Sequence, residues 1–188
     1  MIKNILVAIL IVVAMLGIAM TPAFGATQKE QDKVIKEAVT LCKIYLKQCT
    51  VHVIKYEGLA AQTRYGGDIY ITNRLVEKLT EPQMRSVLFH EVGHVVLEHI
   101  EKTAQYQQSC NYYKTCNPEA LSTVHRNYEY EADRFAVLVT KFTGKPEGLE
   151  GALIIITPKD MFNTTHPTHP STADRIREIR RLYYGKIR

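Results

Sequence analysis

His90-Glu91-Val92-Gly93-His94 lies in the apolar run from Ser86-Val87-Leu88-Phe89 to Val95-Val96-Leu97, and its reading decides the fold. On an α-helix, residues four apart stand one above the other, so His90 and His94 aim their imidazoles at one point. That is the spacing a tetrahedral zinc ion takes from two ligands on one helix. Glu91, turned about 100° from His90, stands beside that point and is placed to act on a water held by the metal. The bland alternative is a buried helix whose histidines do no more than find hydrogen-bond partners.

The flanks support a helix. Thr80-Glu81-Pro82-Gln83 supplies a Thr N-cap, a proline in the first turn and a glutamine three residues after the cap. The apolar residues Met84, Val87, Leu88, Val95 and Val96 carry the helix to about Lys102, with both histidines near its middle. Gly93 costs such a helix about 1 kcal/mol against alanine, which makes sense where another backbone must come close. His99 falls about 140° round the helix from His94 and reads as structural, pointing away from the site.

Upstream, Val34, Ile35, Ala38, Leu41 and Cys42 recur at helical spacing between about Gln28 and Leu46. Val51 to Tyr56 reads as a strand, in which His52 is structural or exposed. Ala60 to Arg64 and Asp68 to Thr72 flank Gly66-Gly67 and read as a hairpin leading through a short helix, Asn73 to Leu79, into the His-bearing helix. Downstream, Thr103 to Asn117 reads as a surface loop whose tyrosines either line a groove or decorate the surface. Asn117-Pro118-Glu119 starts another helix, which runs to Thr143, with room for an interruption near Thr123, before Gly144 and Pro146 stop it. Glu129 and Asp133 share one face of it, and the small Ala132 and Ala136 let that face approach the His-bearing helix. Glu131 points about 200° from Glu129 and is not read as a ligand. Gly148 to Thr157 is a buried segment of undecided type. A last helix follows Ser171 with the stripe Ile176, Ile179, Leu182 and Tyr183.

Length and charge bound the rest. The 188 residues favour one domain, and the net charge is +5. Residues 1–25 read as a signal peptide: Lys3, an apolar run from Ile5 to Met20, then Ala23-Phe24-Gly25, leaving a domain over residues 26–188. The apolar run is shorter than the roughly 20 residues of a membrane span, although an uncleaved anchor remains the rival reading. Four cysteines behind such a leader suggest disulfides. The local pairings Cys42–Cys49 and Cys110–Cys116 are preferred because each closes a short loop at low entropic cost. The basic run Arg175, Arg177, Arg180, Arg181, Lys186 and Arg188 reads as the solvated face of the last helix rather than a nucleic-acid or lipid site.

Three features lie together: His90-Glu91-x-x-His94, then Glu129-x-x-Ala132-Asp133, then His169-Pro170 with Arg175 six residues after the histidine. They resemble the zinc metallopeptidases of the HtpX-like and CAAX prenyl protease type 1 family, over about Gly58 to Leu182. The resemblance implies an α+β, zincin-like fold, mainly helical, with a small antiparallel sheet beside the His-bearing helix. It implies one Zn2+ per chain held by His90, His94 and Glu129, with Glu91 as general base and Asp133 orienting a ligand histidine. It also implies a role for His169 and Arg175 in binding substrate or the oxyanion. Ala60-Ala61 stands where the family often has Asn-Ala, and His125 where a serine is common.

The chemistry expected is attack by a metal-held water on a peptide carbonyl, with Glu91 moving the proton. An extended or unfolded protein is the expected substrate, added as a strand near Asp68 to Thr72. Nucleic acid is not expected as a partner, nor a membrane span after signal cleavage, and the sequence assigns no oligomeric state. The expected location is the periplasm or outside the cell. The competing reading is a zinc-containing, chaperone-like or binding domain of the same fold that does not cleave.

Overall fold

The computed structural model describes residues 25–143 and 148–185. All but the last residue of the expected signal peptide, the helix stop at Gly144 and Pro146, and the terminal Lys186 and Arg188 lie outside the described residues. Thr27 caps α1 (Gln28–Ile44) in a capping box with Glu30, each side chain bonding the other's backbone N–H. Val34, Ala38 and Cys42 form its fully buried face. The helix closes with Leu46 in the left-handed region at φ 57° and the Lys47 N–H donating to the Cys42 carbonyl at 2.9 Å. This is a Schellman closure without the usual glycine. The Cys42–Cys49 disulfide spans it.

The strands β1 (Thr50–Ile54), β2 (Ala61–Thr63) and β3 (Asp68–Thr72) lie in the order β1-β3-β2. β2 and β3 are the expected hairpin, antiparallel, with Gln62 opposite Tyr70. On the other side, β1 pairs parallel with β3, with His52 opposite Tyr70. The sheet is therefore mixed where an antiparallel one was expected, because residues 55–60 carry the chain across β3 before the hairpin begins. This also moves the expected substrate edge. β3 is the central strand, paired on both sides, and β2 is the edge strand that meets the His-bearing helix.

After α2 (Asn73–Lys78), Thr80 starts α3 (Glu81–Val96) in the expected capping box, its N–H donating to the Gln83 side chain at 2.9 Å. Nearly all of α3 is buried, because α1, the sheet and two later helices surround it. Met84, Leu88 and Val92 enter one core with α1 and β3, and Phe89 enters a second core with Ala136, Leu149 and Ile176. Each such side chain contributes roughly 1.5–3 kcal/mol by leaving water. The buried Arg85 is matched by Glu37 and Glu81.

The helix does not continue to Lys102. It stops at Val96, Glu98 turns left-handed at φ 59°, and a new helix, α4 (His99–Tyr113), replaces the expected loop. No glycine or proline marks the break. Lys47, from the stapled end of α1, pairs with Glu98 at the bend. α4 ends as α1 does, with Lys114 at φ 53°, the Thr115 N–H on the Cys110 carbonyl at 2.8 Å, and the Cys110–Cys116 disulfide across it. Both expected pairings are thus formed.

α5 (Pro118–Thr143) is one helix without an interruption near Thr123, begun by Asn117, whose side chain accepts the Glu119 N–H at 2.9 Å. The undecided segment is helix α6 (Gly148–Ile156), and α7 (Thr172–Tyr184) is capped by Ser171. On α7, Arg177, Arg180 and Arg181 pair with Asp174, Glu150 and Glu178, while Arg175, expected on the solvated face, is buried. The fold is α+β and zincin-like, with the small sheet beside α3. Among the described residues, no helix is long and apolar enough to cross a membrane.

Candidate metal centre

The i, i+4 spacing brings His90 and His94 together on α3, with their Nε2 atoms 3.1 Å apart. Glu129 arrives from α5, placing Oε2 3.5 Å from His90 Nε2 and Oε1 3.5 Å from His94 Nε2. Around a tetrahedral zinc ion with ligands at about 2.0–2.2 Å, neighbouring donor atoms stand about 3.3–3.6 Å apart. Two imidazoles and a carboxylate suit zinc in their chemistry, and the three groups lie close enough to share one ion, with the histidine nitrogens slightly tighter than the tetrahedral spacing. The approach of α5 depends on small residues. A Cβ at Gly93 would lie 3.1 Å from Ala132 Cα and 3.3 Å from Phe135 Cβ, so the helices meet almost backbone to backbone.

The buried groups shift one another in opposite directions. Burial works against a charged His90, but Asp133 and Glu129 outweigh it and push the imidazolium up to about 10. Burial, and then that neighbouring charge, drive His94 down to about 3. Burial also opposes the Glu129 charge, yet the Arg175 guanidinium and both imidazoles hold its carboxyl well below the usual carboxylate range.

Asp133 is fully buried and stands behind His90, with Oδ1 2.9 Å from Nδ1 at an angle short of a well-directed hydrogen bond. Arg175 grips Asp133 with two parallel bonds, Nε to Oδ2 at 2.8 Å and Nη2 to Oδ1 at 2.7 Å. Its remaining nitrogen, Nη1, lies 3.2 Å from Glu129 Oε2. Arg175 therefore joins the Glu129 carboxylate to the carboxylate behind His90. His169 sits on the open side, its ring half-exposed and Nε2 3.6 Å from Glu129 Oε1.

Glu91 is buried beside the ligands, and burial raises its carboxyl above the ordinary value, with His90 and Thr63 pulling the other way. The Thr63 hydroxyl on β2 lies 2.8 Å from Glu91 Oε2 and 2.9 Å from the Glu91 carbonyl, fixing the side chain. The sequence reading missed Thr63. Its signal was its place in the hairpin just ahead of the His-bearing helix. His99 was read as pointing away from the site, but the bend at Glu98 resets the helical wheel. The ring is buried, with Nδ1 3.0 Å from His94 Nδ1. Apart from the fully buried Asp133, these groups open on one cleft of ≈ 550 Å³, between β2 on one side and Leu149, Leu153, Ile156 and Met161 on the other.

A His-Glu-x-x-His helix, a carboxylate from a neighbouring helix and a small flanking sheet define a metallopeptidase by class. The chain belongs to peptidase family M48, whose model matches residues 25–117 and 112–183. No curated protein matches the chain.

Proposed function

We propose that the chain is a zinc-dependent metalloendopeptidase acting on extended or unfolded proteins. The observation that carries this reading is the Glu91 carboxylate, buried and held by Thr63 beside His90, His94 and Glu129, a group close enough together to hold one metal ion. Zinc held by His90, His94 and Glu129 would supply Lewis acidity toward water and the scissile carbonyl. Glu91 takes the proton of the attacking water and passes it to the leaving amine, its side chain held for both transfers by Thr63. Arg175 is occupied by Asp133 and Glu129, so it holds the ligands in place. His169, half-exposed at the cleft, is the better placed donor to the developing oxyanion. A substrate strand adds to β2, the free edge above the site, by backbone hydrogen bonds, which reads few side chains. The two disulfides support an exported protein in an oxidising compartment.

The test measures bound zinc and cleavage of an unfolded protein by the wild type and by Glu91→Ala. Both should bind one zinc and only the wild type should cleave. Equal cleavage by the variant ends the Glu91 mechanism, and zinc binding without any cleavage by the wild type favours the chaperone-like reading.

A further inference from the structure

We infer that His99 is a positioning residue for the metal centre, fixing the ligand nitrogen of His94 through a relay that ends on Glu131. The inference rests on the zinc reading above. His94 presents Nε2 to the His90 and Glu129 donors, so as a neutral ligand it carries its proton on Nδ1. That atom faces His99 Nδ1 at 3.0 Å. His99 must therefore accept there, which places its own proton on Nε2, 3.1 Å from Glu131 Oε2. Every hydrogen in the chain of three groups has one acceptor, and the two rings stay neutral.

The relay is built rather than incidental. His99 is 1 % exposed and stacks flat on Tyr128, ring centroids 4.2 Å apart and planes 7° from parallel. Tyr128 and Glu131 are three apart on α5 and share a face, so one helix both stacks the ring and receives its proton. The left-handed Glu98 makes the contact, because on an unbroken helix His99 would turn away from His94. The two ligand histidines are thus backed differently, His90 by the Asp133 carboxylate and His94 by a neutral imidazole that reaches its carboxylate one ring further out.

The test uses the full chain with zinc affinity read by competition against a chelator. His99→Phe keeps a ring on Tyr128 but has no acceptor, and should weaken zinc about 10- to 100-fold. His99→Asn restores an acceptor oxygen near the Nδ1 position and should stay within a few-fold of wild type. The thermal midpoint of the metal-free proteins separates this from loss of folding. In the zinc-loaded wild type, 15N spectra of the imidazoles should show His99 protonated on Nε2, a readout that needs no variant. Unchanged affinity in His99→Phe, equal weakening in both variants, or a proton on His99 Nδ1 would overturn the relay. A wild type that binds no zinc would instead bring down the metallopeptidase reading, and the relay with it.

Discussion

Gly93→Ala sets two physical effects of opposite sign against each other. In an open helix the change should stabilise by about 1 kcal/mol, since glycine is the poorer helix former. Here the added methyl would meet Ala132 Cα at 3.1 Å and Phe135 at 3.3 Å, and one of those contacts is backbone. Overpacking of this kind costs typically 1–3 kcal/mol, so the net expectation is a loss of about 1 kcal/mol. Relief requires α5 to step back by about 0.3 Å to reach ordinary van der Waals separation. Glu129 rides on α5, and its two 3.5 Å separations from the histidines already sit near the upper end of the zinc range. The variant should therefore bind zinc more weakly as well. Urea denaturation of the metal-free protein and chelator competition for zinc read the two effects separately. A variant more stable than wild type by about 1 kcal/mol, with unchanged zinc affinity, would refute the close-approach reasoning.

Other perturbations follow from the same geometry. Glu129→Ala should abolish stoichiometric zinc, whereas Glu131→Ala should still bind one zinc, more weakly; metal analysis after dialysis decides between them. Asp133→Ala leaves the buried Arg175 with Glu129 alone, and should cost about 3 kcal/mol in urea unfolding, the lower end for breaking a buried ion pair. Replacing Cys42 and Cys49 together by serine removes a short closed loop worth about 2.5 kcal/mol and should lower the thermal midpoint, with the loss of helicity confined to the end of α1.

Where local chemistry sets the structure, the residues announced it. Thr80 and Gln83 spell a capping box, Gly66-Gly67 a tight turn, and the short cysteine spacings the two staples. The gathering of the candidate ligands was legible for the same reason, since His90 and His94 share a face by helix geometry alone, and Ala132 and Ala136 betray a close helix pair. What stayed hidden depends on distant partners. Leu97-Glu98 carries no breaker, and the bend is held by Lys47 and by the burial of His99, neither of which is local. The parallel pairing of β1 comes from a crossover through residues 55–60 that no turn motif dictates. Arg175 entered through the family resemblance as a substrate or oxyanion contact, and its grip on Asp133 and Glu129 was not legible because those carboxylates sit on another helix.

α5 carries Glu129, the third candidate ligand, and also the groups that stand behind His90 and His94: Tyr128 and Glu131 for His94 through His99, and Asp133 for His90. These four side chains have one rigid body beneath them and no independent freedom along the helix axis. A displacement of α5 withdraws a ligand and unsettles both histidines in the same movement. Were a metal held there, its release would be expected to follow the movement of one helix against another and not three separate bond losses.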